Sequence, residues 1–562
     1  MTRTIALVTA AALAALLSGP AEAGQAAPPV TGVQAGAVST AAAIDKIFER
    51  WDRAGTPGCA VGVAQAGQAV HTKAYGMANL EYGIRNWPTT VFESGSVAKQ
   101  FTAAAITLLA LDGKLSIDDP VRKYVPELPD FGTPLLIRHF LNHTSGLRSQ
   151  WPMLTLAGRP PGRAVHTVPE ILELASHYKE LNFRPGDEYL YNNTAYTLLG
   201  VVVERVSGKS LNDFTQERLF GPLGMTRTRW RDDFTAVVPN RATAYRMMPD
   251  GTFRTFMPFT NVVGNGGLLT TVGDLLLWND NLDNPRVGGP ELPARLQTRG
   301  RLNDGFENEY AQGLTVTQYR GVREVSHGGS TAGYQTFLAR FPDQALSVAV
   351  LCNTTGTNPA RQAHEIADIL LAGTLKALPS VRAVEAPPEA LERMAGVYRE
   401  AATDAVLRLT WDAKARVLRA GGQPLVPTGP GELYTLDGAR RLSTERGWPE
   451  SVMIGGLIET AERAKPRRWD LQRPFTPTAA QLQEFTGDYV SEELGVTYTF
   501  YVEDGRLKLR FRPAQRMTLE PIFKDAFEAD GDTVRFTRAA SGAVDGLRIF
   551  AGRARHVRFA RR

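Results

Sequence analysis

Apolar and polar positions alternate along the chain in three textures. From Pro57 to about Leu80, "PGCAVGVAQAGQAVHTKAYGMANLE" reads as apolar strand, Gly-containing turn and second strand. A long middle with helical periodicity follows, and "ALSVAVLCNTTG" near 345 to 356 returns to strand. "ARQAHEIADILLAGTL" then predicts an amphipathic helix with Ile366, Ile369 and Leu370 on one face. Strands at both ends enclosing helices predict a mixed α and β domain whose termini share one sheet, ending near Leu378.

Beyond the Pro-rich "KALPSVRAVEAPPEA" the texture changes to short alternating strands, as in "YTFYVEDGRLKLRFR". There Arg506, Lys508, Arg510 and Arg512 alternate with Leu507, Leu509 and Phe511, so one face is wet and the other dry. "PEALERMAGVYRE" at 388 to 400 resembles "AAQLQEFTGDYVS" at 479 to 491, a two-copy repeat with Leu391 and Leu482 91 residues apart. With "KPRRWDLQRPFTPT" between the copies, two small antiparallel barrels or sandwiches are expected rather than one large one. The arginine-rich end, "RIFAGRARHVRFARR", reads as a solvated outer face, with attraction to an acidic envelope surface as the alternative.

The first 23 residues place Arg3 before an apolar run, Ile5 to Gly19, and Ala21-Glu22-Ala23 as a small-x-small cleavage site. They predict a removable export signal, and the run is shorter than the roughly 20 residues that a membrane span needs. The expected organisation is signal peptide 1–23, flexible leader 24–39, main domain 40–378, linker 379–390 and β domains at 391–470 and 471–562. The expected location is periplasmic or secreted, without stable membrane insertion. A net charge of +5 over 562 residues gives no nucleic-acid footprint, despite a pI near 9.1. Cys59 and Cys352 both lie in strand-like segments. If those strands pair antiparallel, a bridge is open to them in an oxidising compartment; two buried free thiols are the alternative.

The candidate chemistry sits in "FESGSVAKQF" at 92 to 101, which opens a helix so apolar that it must be buried. Ser96 and Lys99, three residues apart, share one helix face. A desolvated lysine beside a hydroxyl can lose its proton and act as base. "FRPGDEYLYNNTAYTLLG" places Tyr191 and Asn193 just before a helix, and "REVSHGGSTAGYQTF" places His327, Gly328 and Gly329 on a strand, where glycine allows a substrate backbone to approach. His139 and His143 have i, i+4 spacing, but HFLNH lacks the glutamate of a zinc-protease motif, so no metal is expected. There is no G-x-S-x-G elbow, "GNGG" at 264 to 267 is too short for a nucleotide loop, and nothing calls for a cofactor.

In the order Ser-x-x-Lys, Tyr-x-Asn, His-x-Gly, these motifs resemble the active-site triplet of the penicillin-recognising serine hydrolases. That group includes class C β-lactamases, D-alanyl-D-alanine carboxypeptidases, D-aminopeptidases and related esterases. "LIRHFLNHTSGL", "RATAYRMMPDG" and "GNGGLLTTVGDLLLW" are similar too, so the resemblance spans roughly residues 40 to 375. It implies an α+β, β-lactamase/transpeptidase-like catalytic domain (an antiparallel sheet flanked by helices) followed by two small all-β, barrel-like domains.

By the same resemblance Ser96 is the nucleophile, and Lys99 and Tyr191 share the proton work. Asn193, His327, Gly328 and Gly329 meet the substrate, and the backbone N–H groups of Ser96 and Ser330 form the oxyanion hole. Class C β-lactamases carry lysine where this chain has His327, a weaker anchor for a carboxylate. The D-aminopeptidase branch carries histidine there and sends an acidic loop from its last barrel into the site. Among Asp525, Glu528, Asp530 and Asp532 such a group is conceivable, but an ordinary solvated turn fits the residues better.

The implied activity is hydrolysis through an acyl-enzyme of a small peptide or amide, with a D-residue near the scissile bond, of aminopeptidase or DD-carboxypeptidase type. A promiscuous esterase, a class C-like β-lactamase and a catalytically lapsed binding module are the alternatives.

Overall fold

The computed structural model describes residues 35–377, 382–429, 431–435, 441–444, 451–455, 467–512 and 515–562. The expected signal peptide, most of the leader and the start of the linker lie outside the described residues. The catalytic half begins with α1 (Ala35–Phe48), β1 (Cys59–Gln65) and β2 (Gln68–Tyr75). It continues through α2 (Lys99–Leu111), α3 (Asn193–Ser207) and α4 (Val272–Asp283), and returns to the sheet in β3 (Thr315–Tyr319), β4 (Val322–Thr331), β5 (Tyr334–Phe341) and β6 (Leu346–Cys352) before α5 (Pro359–Leu370).

The sheet order is β3-β4-β5-β6-β1-β2, antiparallel throughout, so both ends of the half meet at β1 and β6. In that register Cys59 faces Cys352 and the two form a disulfide, which closes the choice left open by the sequence. β1 is apolar at every position but its last because helices cover both faces. Val61 and Val63 pack with Ile44, Phe48 and Ile366, whereas Ala60 belongs to the opposite core with α2 and α3. α4 presses so close that a side chain at Gly62 would meet Val272 and Leu276.

The two repeat copies fold alike. In α6 (Pro388–Glu392) and β7 (Gly396–Arg399), Leu391 is buried and the Tyr398 hydroxyl donates to Met394 O at 2.9 Å. In α7 (Ala479–Glu484) and β8 (Gly487–Ser491), Leu482 is buried and the Tyr489 hydroxyl donates to Phe485 O at 3.0 Å. The first copy opens a closed eight-stranded barrel that ends with strand Arg467–Gln472. The second opens a nine-stranded antiparallel sheet that includes β9 (Val544–Ala551) and β10 (Ala554–Arg561). Its two edge strands, Gln515–Thr518 and Glu520–Phe523, are successive in the chain and separated only by Leu519, so this sheet is nearly closed.

The arginine-rich end is not a uniformly solvated face. Arg555 is buried and pairs at 2.9 Å with Glu188 of the catalytic half, a carboxylate that Arg467 of the first barrel also holds. Arg148 of the catalytic half is buried against Glu493 of the second barrel, and Tyr498 donates to Leu156 O at 2.7 Å. β10 therefore sets Val557 and Phe559 in the barrel core and Arg555 in a domain interface, while Arg558 stays exposed.

Candidate active site

A single 3-10 turn, Gly95–Ala98, precedes α2, so Ser96 lies just before the helix and Lys99 is its first residue. Lys99 is fully buried, and its Nζ reaches three oxygens: Ser96 Oγ at 3.1 Å, Asn193 Oδ1 at 2.9 Å and Asn265 O at 2.7 Å. Two of these are carbonyls, which only accept, and they fix two N–H directions. The third position faces a hydroxyl, which can donate. Burial, helped by the Arg553 charge, holds the ammonium well below its usual pKa. Once deprotonated, the amine would turn its lone pair toward the Ser96 proton.

Local capping sets the second motif. Asn192 caps α3 by accepting from Ala195 N at 2.8 Å, which leaves Asn193 as the first helical residue and Tyr191 just outside. His143 stands behind them. It follows the helix Ile137–Leu141 in a left-handed conformation, φ 57°, and its Nδ1 accepts from Asn192 N at 3.1 Å. It is therefore not on one helix face with His139 as the spacing suggested. Its ring lies 4.2 Å from that of Tyr191, whose centroid is 4.7 Å from Lys99 Nζ.

The third motif passes Ser96 on β4. A side chain at Gly329 would strike Ser94 O at 2.0 Å and Ser96 N at 3.0 Å, and one at Gly95 would meet Ser330 N at 2.6 Å. The glycine at 329 thus admits the turn that carries Ser96, while still lining the cavity, and the close approach brings the Ser96 and Ser330 amides near one another. Gly328 shows only ordinary contacts.

His327 is buried with both ring nitrogens engaged: Nδ1 lies 2.6 Å from Gly328 O and Nε2 lies 3.0 Å from the Tyr310 hydroxyl. The carbonyl can only accept, so Nδ1 carries the proton and Tyr310 donates to Nε2. Burial and Lys99 push its pKa down to about 3, so at neutral pH it supplies no cation.

These groups line a cavity of about 1270 Å³, shared by Ser96, Tyr191, Asn193, Asn265, Tyr310, His327, Ser330 and Arg553. Glu93 is buried in its wall and held by Arg231 at 2.9 Å and Arg241 at 3.1 Å. Among the described residues no cluster of three His, Cys, Asp or Glu could hold a metal. Asn265, Tyr310 and Arg553 went unnoticed in the sequence; "GNGG" marked the loop of the first, and no local pattern marked the other two. The acidic segment lies elsewhere, with Asp525 on Arg538 and Glu528 on Arg408.

The model of the family described as Beta-lactamase matches residues 43–373. The chain belongs to the beta-lactamase family. Membership makes it a serine hydrolase. This beta-lactamase family member is 28% identical over 528 residues to a protein named D-aminopeptidase from Cereibacter sphaeroides, covering 90% of this chain and 96% of that protein. It is 30% identical over 303 residues to a D-aminopeptidase from Brucella anthropi, covering 53% and 56%. Its fold is similar to that of the octameric penicillin-binding protein homologue from Pyrococcus abyssi (TM-score 0.54, 23% identity, 86% of this chain and 100% of that one). It is also similar to the D-amino acid amidase from Ochrobactrum anthropi SV3 (TM-score 0.51, 21% identity, 60% and 99%).

Proposed function

We propose that this chain is an exported serine hydrolase that cleaves a small peptide or amide, with a D-residue beside the scissile bond, through an acyl-enzyme on Ser96. The observation that carries the reading is Lys99 Nζ, buried, held well below its usual pKa and 3.1 Å from Ser96 Oγ, with its other two contacts fixed on carbonyls. Lys99 takes the Ser96 proton as Oγ attacks the amide carbon. The charge that develops on the carbonyl oxygen falls to the paired amides of Ser96 and Ser330. The proton passes through Lys99 and Tyr191 to the leaving nitrogen as the C–N bond breaks. Water, deprotonated by the same pair, then attacks the ester and returns Ser96.

The disulfide fits the oxidising compartment to which an export signal would deliver the chain. Amide rather than β-lactam chemistry is favoured by the long D-aminopeptidase likeness and by the absence of charge on His327.

The test is turnover of D-Ala-p-nitroanilide, a D-Ala-D-Ala peptide, p-nitrophenyl butyrate and nitrocefin by the full chain and by Ser96→Ala, beside mass mapping of a fluorophosphonate adduct. An adduct on Ser96 with amide turnover lost in Ser96→Ala is expected. A folded protein that gives no adduct at Ser96 sinks the enzyme reading, and nitrocefin as the best substrate overturns the amide preference.

A further inference from the structure

Behind Tyr191 lies a fully buried imidazole, that of His143. It holds the chain on both sides of the tyrosine: Leu190 N donates to His143 O at 2.9 Å, and Asn192 N donates to His143 Nδ1 at 3.1 Å. Any residue at 143 has the carbonyl, but the second contact needs a side-chain acceptor two bonds beyond Cβ. The His143 ring lies 4.2 Å from that of Tyr191, 4.5 Å from that of Tyr310 and 5.0 Å from that of Tyr196, centroid to centroid.

Packing alone gives poor reason for a histidine here. Its φ of 57° lies in the left-handed region, which strains most side chains and is easiest for glycine and asparagine. Because Nδ1 accepts from an amide, the ring proton sits on Nε2, and that buried nitrogen has no hydrogen-bond partner among the described residues. Burial and the neighbouring Lys99 hold the imidazole well below its usual pKa, which keeps Nδ1 an acceptor. Strain and an unmade hydrogen bond at one buried position are costs that a packing role does not require.

His143 itself does not line the cavity. Tyr191 does, with Lys99 Nζ 4.7 Å from its ring centroid, and the stretch from Leu190 to Asn192 belongs to no helix or strand. The cap of α3 fixes the chain only from Asn192 onward.

We propose that His143 is a positioning residue that aims the Tyr191 hydroxyl at the leaving nitrogen. Its carbonyl and Nδ1 fix the tyrosine's backbone from both sides, and its ring backs the phenol. The proton released when Ser96 Oγ bonds to the amide carbon must travel over Lys99 and Tyr191 to the nitrogen, whose bond to that carbon then breaks. A p-nitrophenolate departs as the anion and needs no proton. The inference deepens the amide-hydrolase reading and rests on it.

The experiment compares D-Ala-p-nitroanilide with the p-nitrophenyl ester of D-alanine, which shares its acyl group, in the full chain, His143→Asn, His143→Gln and His143→Leu. Asparagine sets an oxygen where Nδ1 stands and tolerates the backbone; glutamine sets it one bond further out, and leucine has no acceptor. The readout is the ratio of the anilide to the ester kcat/KM, which a general loosening of the fold lowers for both substrates and leaves unmoved. It should fall roughly 10- to 100-fold in His143→Leu and His143→Gln and stay near wild type in His143→Asn.

Melting midpoints show which variants are folded. A loss shared equally by the two substrates, a ratio unmoved in folded His143→Leu or His143→Gln, or no rescue in folded His143→Asn overturns the proposal. Failure of both His143→Leu and His143→Gln to fold overturns it too, because the residue is then a structural post. Fluorophosphonate labelling, which expels fluoride and needs no proton on the leaving group, separates the two claims. Wild type without an adduct on Ser96 retires the hydrolase reading and this inference with it, whereas an adduct with an unmoved ratio retires the inference alone.

Discussion

Among the ties between the second barrel and the catalytic half is a fully buried ion pair, and removing either partner should unbalance the molecule in a pH-dependent way. Arg148 and Glu493 are 1% and 5% exposed at their side chains. The guanidinium also donates to Arg555 O at 3.2 Å and His556 O at 3.3 Å, in the strand that begins just after Arg553. Burial raises the Glu493 carboxyl above its ordinary pKa, with Arg148 only partly offsetting it.

Removing one member of a buried pair costs about 3–5 kcal/mol. Glu180, 3.8 Å from Arg148 and partly exposed, can take up some of the stranded charge, so about 3 kcal/mol is expected for Glu493→Ala. That corresponds to a fall of about 6–12 °C in the melting midpoint of the unit that includes this pair.

Arg148→Met should lose a similar amount near neutral pH but recover in acid. A carboxyl whose folded pKa is raised stabilises the fold below its unfolded pKa and loses that contribution as pH rises through the folded value. Without Arg148, Glu493 is raised further and can bury itself as the neutral acid, whereas the guanidinium stranded by Glu493→Ala stays charged.

Melts of both variants at about pH 5 and about pH 7.5, each against wild type, check this. Two outcomes refute the reasoning: a deficit below about 1 kcal/mol in both variants, or an acid rescue that appears in Glu493→Ala and not in Arg148→Met. Because Ser149 touches both Arg553 O and Asn193 N, kcat/KM should fall in both variants at temperatures where they remain folded.

Two more predictions concern the base and the bridge. If Lys99 works as the free amine, as proposed, kcat/KM for an uncharged ester should rise with pH through its depressed pKa. Arg553→Gln, which removes a nearby positive charge, should move that limb to higher pH; profiles over roughly pH 4 to 10 that coincide, or shift toward acid, contradict the assignment. Replacing Cys59 and Cys352 together by alanine should cost roughly 2–5 kcal/mol, measured as a lower melting midpoint under oxidising conditions, while reductant should shift wild type and leave the variant unmoved.

What the sequence could disclose follows from how far apart the cooperating residues lie. Ser96 and Lys99 are one helical turn apart, and Tyr191 and Asn193 flank a single cap, so their geometry is local and the spacing conveys it. The strands at Cys59 and Cys352 were readable because β1 and β6 are apolar on both faces, yet only their register decides the bridge. Leu391 and Leu482 marked a repeat because each is the buried anchor of the same helix-to-strand corner.

What the sequence hides is relational. Nothing in "SHGGST" says that Ser94 and Ser96 press on Gly329 from 233 or more residues away. Asn265 contributes a backbone carbonyl, which any residue would supply, and Tyr310 is simply an aromatic in a loop.

The last strand is the sharpest case. In "AGRARHVRF", alternating arginine and small or apolar residues would read the same if the arginine face met water, an acidic surface or another domain. Here it meets Glu188 and Tyr191, so Arg553, which carried no signal of chemistry, stands in the wall of the cavity. A terminal barrel of this kind cannot be trimmed away as an appendage: its core joins that of the catalytic half, and its turn completes the site.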